Sequence, residues 1–344
     1  MNLAHGGNLA AASRAFRIPR GDWIDLSTGI SPWSWPVPTV PDAVWQRLPE
    51  DGDELPATAA QYYHCDAAQL LAVPGSQHAI RALPALWPAA TVALPAWGYR
   101  EHHLAWQGAG HRALIYRDFD DLRALVANGA ARHALVINPN NPSSALADPA
   151  ELVGLAATLA ARGGQLVVDE AFMDPQPQLS LIPHRPGNAL VLRSLGKFFG
   201  LAGVRLGFVV AEPHLLERLA AAMNPWAVSH PARWAGAGAL ADRAWQAHQR
   251  RRLDLASRAW LATLAAVVPA LRWRQAALFI SAECTWRYGE ALFRAAGAEG
   301  LLVRLAGPVA GRGTVRLGLP GDNQLDEAKA RLQRALERLT CEIP

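Results

Sequence analysis

The sequence predicts an α/β protein in which a doubly wound layer of alternating strands and helices is followed by a smaller α+β domain. Three observations lead there. Short β-branched or Leu-rich runs recur between Thr91 and Ala211, most of them bounded by Gly, Pro or Asn, as buried strands of a parallel sheet are. Helix-forming segments fall between several of these runs, the alternation that a doubly wound layer requires. The pattern then changes near Asn224-Pro225. With 344 residues, 51% of them hydrophobic and 18% charged, and a net charge of only +4, the chain has material for a large buried core and is too apolar for disorder.

Residues 1–40 read as an N-terminal arm joining the small domain. Pro32, Pro36, Pro38 and Pro41 interleave there with Trp33 and Trp35, so no helix persists through that stretch. The large domain, 41–224, carries expected strands at Thr91–Leu94, Ala134–Ile137, Gln165–Val168, Ala189–Leu192 and Leu206–Ala211. Its clearest helix is Asp148–Arg162: Asp148 is the N-cap, Pro149 fits the first turn, Glu151 closes a capping box and Gly163 follows the last turn. The second domain, 225–344, has a long helix-prone stretch over Asp242–Val267 and strand-like runs at Ala276–Ser281, Leu301–Leu305 and Thr314–Leu317. It closes with a helix, Leu325–Leu339, that places Leu325, Leu332, Leu336 and Leu339 on one face.

Several function classes are excluded by composition. No apolar run reaches about 18 residues without a charge, Pro or Gly, so no membrane span is expected. The N-terminus lacks the charged-then-apolar order of a signal peptide. Cys65, Cys284 and Cys341 are odd in number and far apart, which supplies neither a disulfide framework nor a zinc cluster. The expected compartment is the cytoplasm, with no metal. The longest basic block, Arg250-Arg251-Arg252, lies in helix-prone sequence and reads as a solvated face rather than a nucleic-acid contact. Of 33 basic side chains only Lys197 and Lys329 are lysines. Lys329, among Glu327, Arg331 and Glu337, reads as a surface residue, which leaves Lys197 to be explained.

In an open parallel sheet ligands bind beyond the carboxyl ends of the strands. Three consecutive expected strands there deliver Asn138-Pro139-Asn140-Asn141-Pro142, then Asp169-Glu170-Ala171-Phe172, then Ser194-Leu195-Gly196-Lys197, with Arg205-Leu206-Gly207 eight residues on. An amide, a carboxylate and an amine thus reach one rim. That set suits pyridoxal phosphate: a lysine bonds the cofactor aldehyde, a carboxylate keeps the pyridine nitrogen protonated, and the ring accepts electrons. The cofactor's phosphate needs helix N-terminal amides, hydroxyls and an arginine fork. Pro74-Gly75-Ser76-Gln77, Ser194 and Arg205 can supply these, and Trp97 can stack on the ring.

At these residues, over about 75–210, the sequence resembles the aspartate aminotransferase fold family (fold type I of the pyridoxal-phosphate enzymes) in the order and spacing of its motifs. The resemblance implies a large domain on a mostly parallel seven-stranded sheet, a smaller α+β domain and a homodimer with its active site at the subunit interface. It also implies that Lys197 forms the imine, that Asp169 pairs with the pyridine nitrogen and that Asn141 bonds the phenolic oxygen. Ser76, Gln77, Ser194 and Arg205 would hold the phosphate, and Arg316, in Val315-Arg316-Leu317-Gly318, would grip the substrate carboxylate together with Asn141.

The chain ends narrow this. His5-Gly6-Gly7-Asn8 and Asp25-Leu26-Ser27-Thr28-Gly29-Ile30-Ser31-Pro32, with Phe172 where most relatives carry tyrosine, are similar to the threonine-phosphate decarboxylases of cobalamin biosynthesis. That resemblance implies a phosphorylated amino acid as substrate, its phosphate met by His5 and the loop holding Gly29 and Ile30. The alternative is a histidinol-phosphate-type aminotransferase, which usually has Arg-Tyr-Pro where this chain has Arg47-Leu48-Pro49. A third reading, a cofactor-sensing regulator, would call for an added DNA-binding domain, which is not expected where the arm begins at residue 1.

Overall fold

A computed structural model describes residues 6–50 and 52–339, which form two compact units. The larger holds residues 34–141 and 145–247; the smaller holds the described residues up to 33, residues 142–144 and those from 248 onward. Among the described residues no helix is long and apolar enough to cross a membrane, and no group of His, Cys, Asp and Glu side chains is placed to hold a metal ion.

The larger unit is built on one sheet of seven strands, β1 (Leu70–Val73), β2 (Thr91–Pro95), β3 (Arg112–Tyr116), β4 (His133–Ile137), β5 (Leu166–Asp169), β6 (Ala189–Ser194) and β7 (Gly207–Val210). Their order is β1-β7-β6-β5-β4-β2-β3. All neighbours are parallel except the two pairs that involve β7, which runs against both β1 and β6. Strands β4, β5 and β6 are buried along their whole length, and apart from His133 at one end and Asp169, Arg193 and Ser194 at the other they read in the sequence as apolar runs. Val73, Ile80, Leu94, Trp106, Leu135, Val167, Leu190 and Val209 share one core cluster. Full burial of such a side chain contributes about 1.5–3 kcal/mol. The helix Pro149–Ala160 starts as its sequence predicts: Asp148 accepts from the Ala150 N–H at 2.8 Å and Glu151 accepts from the Asp148 N–H.

The sheet unit extends past the composition change at Asn224-Pro225. The helix His230–Ala241 packs on the helix Glu54–Tyr63, where Arg233 donates from Nε and Nη2 to Asp53, both at 2.6 Å. Trp35 donates its indole N–H to Asp242 at 3.1 Å in the same unit. The helix Arg243–Val267 then has residues 243–247 in the larger unit and the remainder in the smaller.

Buried imidazole gives the larger unit a pH-dependent stability. His133, at the start of β4, is 3% exposed, lies 5.8 Å from His111 and accepts from the Gln165 N–H at its Nδ1 (3.2 Å). Burial first, then His111 and Arg132, push it down to about 4. The folded chain therefore keeps this ring neutral while the unfolded chain protonates it below its ordinary value. Stability is constant above about pH 6.5, falls as pH drops from there to about 4, and loses on the order of 3 kcal/mol from this group. Urea unfolding measured across that range should show the slope, and His133→Asn, which keeps an acceptor for Gln165, should flatten it.

The smaller unit contains an antiparallel sheet in the order Arg304–Val309, Arg312–Gly318, Phe279–Thr285, Trp273–Ala276. A separate parallel pair joins Ile24–Asp25 to Leu301–Leu302. Three expectations are corrected here. The single strand expected over Ala276–Ser281 is two, because the chain reverses at Ala277-Leu278 between antiparallel partners. The run Leu301–Leu305 divides between the two sheets at Val303. In the last helix, Leu325–Glu337, Leu325 is 37% exposed, and Ala328 and Ala335 join Leu332 on the buried face. Arg252 is likewise not simply solvated: its guanidinium lies 4.2 Å from the Trp33 ring centroid and donates to Asp322 at 2.7 and 2.5 Å. Lys329 is exposed, as expected.

Candidate active site

The end of β4 is fastened by its own amides. Asn138 donates its backbone N–H to the Asp169 carbonyl (2.8 Å), while its side chain accepts from the Ala147 N–H (2.9 Å) and donates to the Ala147 carbonyl (3.2 Å). The Asn138–Pro139 bond is cis. Asn140 donates from Nδ2 to the Trp97 carbonyl at 2.9 Å, tying this turn to the segment after β2. Asn138 and Asn140 are thereby committed to the scaffold and Asn141 follows them at the turn, half-buried.

Asp169 ends β5 opposite Ile137 on one side and Leu192 on the other, and is 4% exposed. Its Oδ1 accepts from the Ala171 N–H at 3.0 Å and its Oδ2 from His102 Nε2 at 2.8 Å. A carboxylate has no proton to give, so the ring nitrogen is the donor and fixes the tautomer of His102. His102 lies in the helix Arg100–Gly108 and meets the Tyr99 ring edge-on at 6.3 Å. Phe172, 8% exposed, lies under Lys197, whose Nζ is 5.5 Å from the ring centroid. The lysine's chain neighbours Leu195, Phe198 and Phe199 are fully buried, and the loop is closed by Leu195 N–H donating to the Leu206 carbonyl at 3.1 Å.

Val73, Gly207 and Ser194 lie in register across β1, β7 and β6. This brings the start of the helix Ser76–Ala82, just after Val73, and Arg205, just before Gly207, to the strand end that carries Ser194. Two glycines make the approach possible. A Cβ on Gly207 would lie 2.4 Å from the Ser76 nitrogen, and one on Gly75 (φ +74°) 2.6 Å from Arg205 Nη2. Arg205 adopts the left-handed region itself, with φ 57°. Gln77 spends its side chain on the wall, accepting from Tyr99 Oη (2.9 Å) and donating to Glu101 (3.2 Å). Any role at an anion therefore falls to its backbone N–H in the first turn, where helix amides lack intrahelical partners.

In the smaller unit the two N-terminal elements meet. Gly7 N–H donates to Ser27 Oγ (2.8 Å), and a Cβ on Gly6 would lie 2.3 Å from the Ser27 carbonyl oxygen. Gly29 is buried and Ile30 half-buried; His5 lies outside the described residues. The loop leading to Gly29 covers the end of the Arg312–Gly318 strand, with Gly318 N–H on the Leu26 carbonyl at 2.6 Å. Arg316 is 6% exposed, donates to the Ser27 carbonyl at 2.5 Å and lies 5.3 Å from the Phe279 ring centroid. Burial first, then the facing Arg304 charge, push its guanidinium down to about 9, with Asp25 opposing.

Of the residues singled out in the sequence, Ser76, Gln77, Trp97, Asn141, Asp169, Phe172, Ser194, Lys197 and Arg205 belong to the larger unit, and Gly29, Ile30 and Arg316 to the smaller. Sequence reasoning missed His102. Its only signal is a His102-His103 pair a few residues after the Trp97 segment in a chain with 11 histidines. Also missed was a buried cluster of Arg193, Glu170 and Asp174 directly behind Ser194 and Asp169.

Residues 49–329 match the family model described as aminotransferase class I and II. A threonine-phosphate decarboxylase from Pseudomonas aeruginosa is 46% identical over 257 residues, covering 74% of this chain and 76% of that protein. One from a Sinorhizobium species is 44% identical, covering 67% and 69%. A histidinol-phosphate aminotransferase from Anaeromyxobacter is 32% identical, covering 65% and 63%. Among solved structures, the histidinol-phosphate aminotransferase of Sinorhizobium meliloti in complex with pyridoxal-5'-phosphate superposes with a TM-score of 0.84 at 20% identity, covering 96% of this chain and 95% of that one. The L-threonine-O-3-phosphate decarboxylase of Porphyromonas gingivalis superposes with 0.71 at 19% identity, covering 91% and 99%. The chain belongs to the aminotransferase class I and II family and has its fold.

Proposed function

We infer that the protein decarboxylates L-threonine O-3-phosphate to (R)-1-amino-2-propanol O-2-phosphate and CO2, with pyridoxal 5'-phosphate as cofactor. The observation that carries the chemistry is the buried Asp169 carboxylate, oriented by His102 and the Ala171 N–H at the end of β5, paired with the strand β6 that leads into the half-buried Lys197. The choice of substrate is supported by the relatives of that name at 44–46% identity and by the packing of Gly6-Gly7 against Ser27. We further propose that the enzyme is a cytoplasmic homodimer with its site at the subunit interface, and that it serves cobalamin biosynthesis.

The residues present fit the cofactor. The Ser76 N–H at a helix start and the Arg205 guanidinium meet around two glycines, with Ser194 in register beside them, and these residue types are donors that a phosphate dianion takes. An acceptor-only carboxylate, already turned by two donors, suits a protonated ring nitrogen. Gly207→Ala should drive a methyl into the Ser76 nitrogen, costing about 1–3 kcal/mol of stability and weakening cofactor binding. Thermal unfolding with and without added cofactor checks both effects.

When bound, pyridoxal phosphate supplies an aldehyde for an amine and a ring that accepts the electron pair of a breaking bond at the α-carbon. Lys197 would hold it covalently. Asp169, held in place by His102, would keep the ring nitrogen protonated, Asn141 would hydrogen-bond the phenolic oxygen and Trp97 would pack on the ring. Arg316 we assign to the substrate carboxylate: a guanidinium whose charge is penalised by burial and by Arg304 gains most from an arriving anion. His5, Gly29 and Ile30 we assign to the substrate's phosphate. Lys197 Nζ, released when the substrate's amine takes its place, would give a proton to the α-carbon from which CO2 has left.

Incubation with threonine phosphate and no keto acid tests this reading. Continuing CO2 release is expected; a halt after one half-turnover would favour a histidinol-phosphate-type aminotransferase, the second reading, which rests on the relative at 32% identity.

A further inference from the structure

Arg193, Glu170 and Asp174 lie in the larger unit, each no more than 1% exposed. Arg193 donates from Nη1 to Glu170 at 2.8 Å and from Nη2 to Asp174 at 2.5 Å, one carboxylate on each end of the fork. Glu170 also accepts from Ser180 Oγ (2.6 Å) and the Leu181 N–H (2.7 Å), and Asp174 accepts from Tyr62 Oη (3.1 Å). The Tyr63 ring lies 4.7 Å from the guanidinium, and Tyr62 packs against Phe199, two residues from Lys197. Desolvating three ions is costly, and an apolar cluster of similar volume would serve folding as well or better. What the ions provide that apolar groups cannot is direction.

The places they hold are the ends of two functional strands. Arg193 and Ser194 are successive residues of β6, so they point to opposite faces. Glu170 follows Asp169 at the end of β5, and its N–H continues the ladder to the Leu192 carbonyl at 2.9 Å. We propose that Arg193 is a positioning residue of the reaction: by bridging Glu170 and Asp174 it fixes the ends of β5 and β6 from behind, and so sets where Asp169 and Ser194 stand. The proposal rests on the cofactor site inferred above.

The test is R193K, which keeps the charge but cannot hold two carboxylates in one plane. On the cofactor-loaded enzyme we expect kcat to fall about 10- to 100-fold, the loss that follows misplacement by about an ångström, with KM within about twofold. The pH midpoint of the bound cofactor's visible absorbance should move by about half a unit as Asp169 shifts. A parent-like kcat and midpoint overturn the proposal, whatever the melting temperature. Should R193K not fold, E170Q is read in the same way, and parent-like values there overturn it equally. A parent enzyme without visible absorbance would instead count against the cofactor site itself.

Discussion

Lys197→Ala is expected to give a folded protein that takes up pyridoxal phosphate without bonding it, and to lose turnover by on the order of 10⁴-fold or more. The amine has two tasks in this reading, covalent attachment and proton delivery to the α-carbon, and alanine abolishes both. The fold should survive, because the neighbours Leu195, Phe198 and Phe199 carry the packing of that loop while Lys197 is only half-buried. Borohydride treatment followed by mass measurement of the intact chain reports attachment directly: the parent should gain the mass of one reduced cofactor and the variant none. Lys329→Ala is the matched control. It lies exposed on the helix Leu325–Glu337 and should leave both readouts untouched. A damaging Lys329 change with a harmless Lys197 change would reverse the site assignment.

Asp169→Asn carries the second large effect. The amide matches the carboxylate in shape: its oxygen can still accept from the Ala171 N–H, while its NH2 turns to His102 as a donor and is met by the other imidazole tautomer, so folding and attachment at Lys197 should persist. It cannot stabilise a proton on the ring nitrogen, and the pull on the breaking bond weakens accordingly. We expect kcat to fall by about 10²- to 10⁴-fold, the range of a positioned proton-holding group, while borohydride still traps the cofactor. That pattern distinguishes Asp169 from Lys197, where trapping and turnover disappear together. Trapping lost in Asp169→Asn would mean that the carboxylate serves attachment rather than electron flow.

Much of this site was legible because its parts announce themselves locally. After His133 in β4, the strands β4, β5 and β6 are apolar up to the chemistry-bearing residues at or just past their ends that break the run. The helix Pro149–Ala160 carries its own start signal in Asp148, Pro149 and Glu151. The unread parts have no such mark. The edge strand β3 holds a short apolar run at residues 113–116 but leaves Ile115 exposed, and β1 is only half-buried, so neither has the full burial of the central strands. The reversal at Ala277-Leu278 uses neither Gly, Pro, Asn nor Asp, and is imposed by pairing with strands distant in sequence. His102 and Arg193 have meaning only through partners 67 and 19 or 23 positions away, which no spacing rule anticipates.

The reversed direction of β7 has a consequence for how the amine can travel. Because β7 runs back against β6, residues 195–206 leave the rim and return to it as a closed bracket, pinned at Ser194 opposite Gly207 and again at Leu195 against Leu206. A bracket anchored at both feet cannot lean toward one reacting carbon and back toward another. In the proposed reaction the lysine's swing between tether and proton donor would therefore be left to its own four side-chain torsions, and the cost of each turnover would be borne by rotamers rather than by backbone.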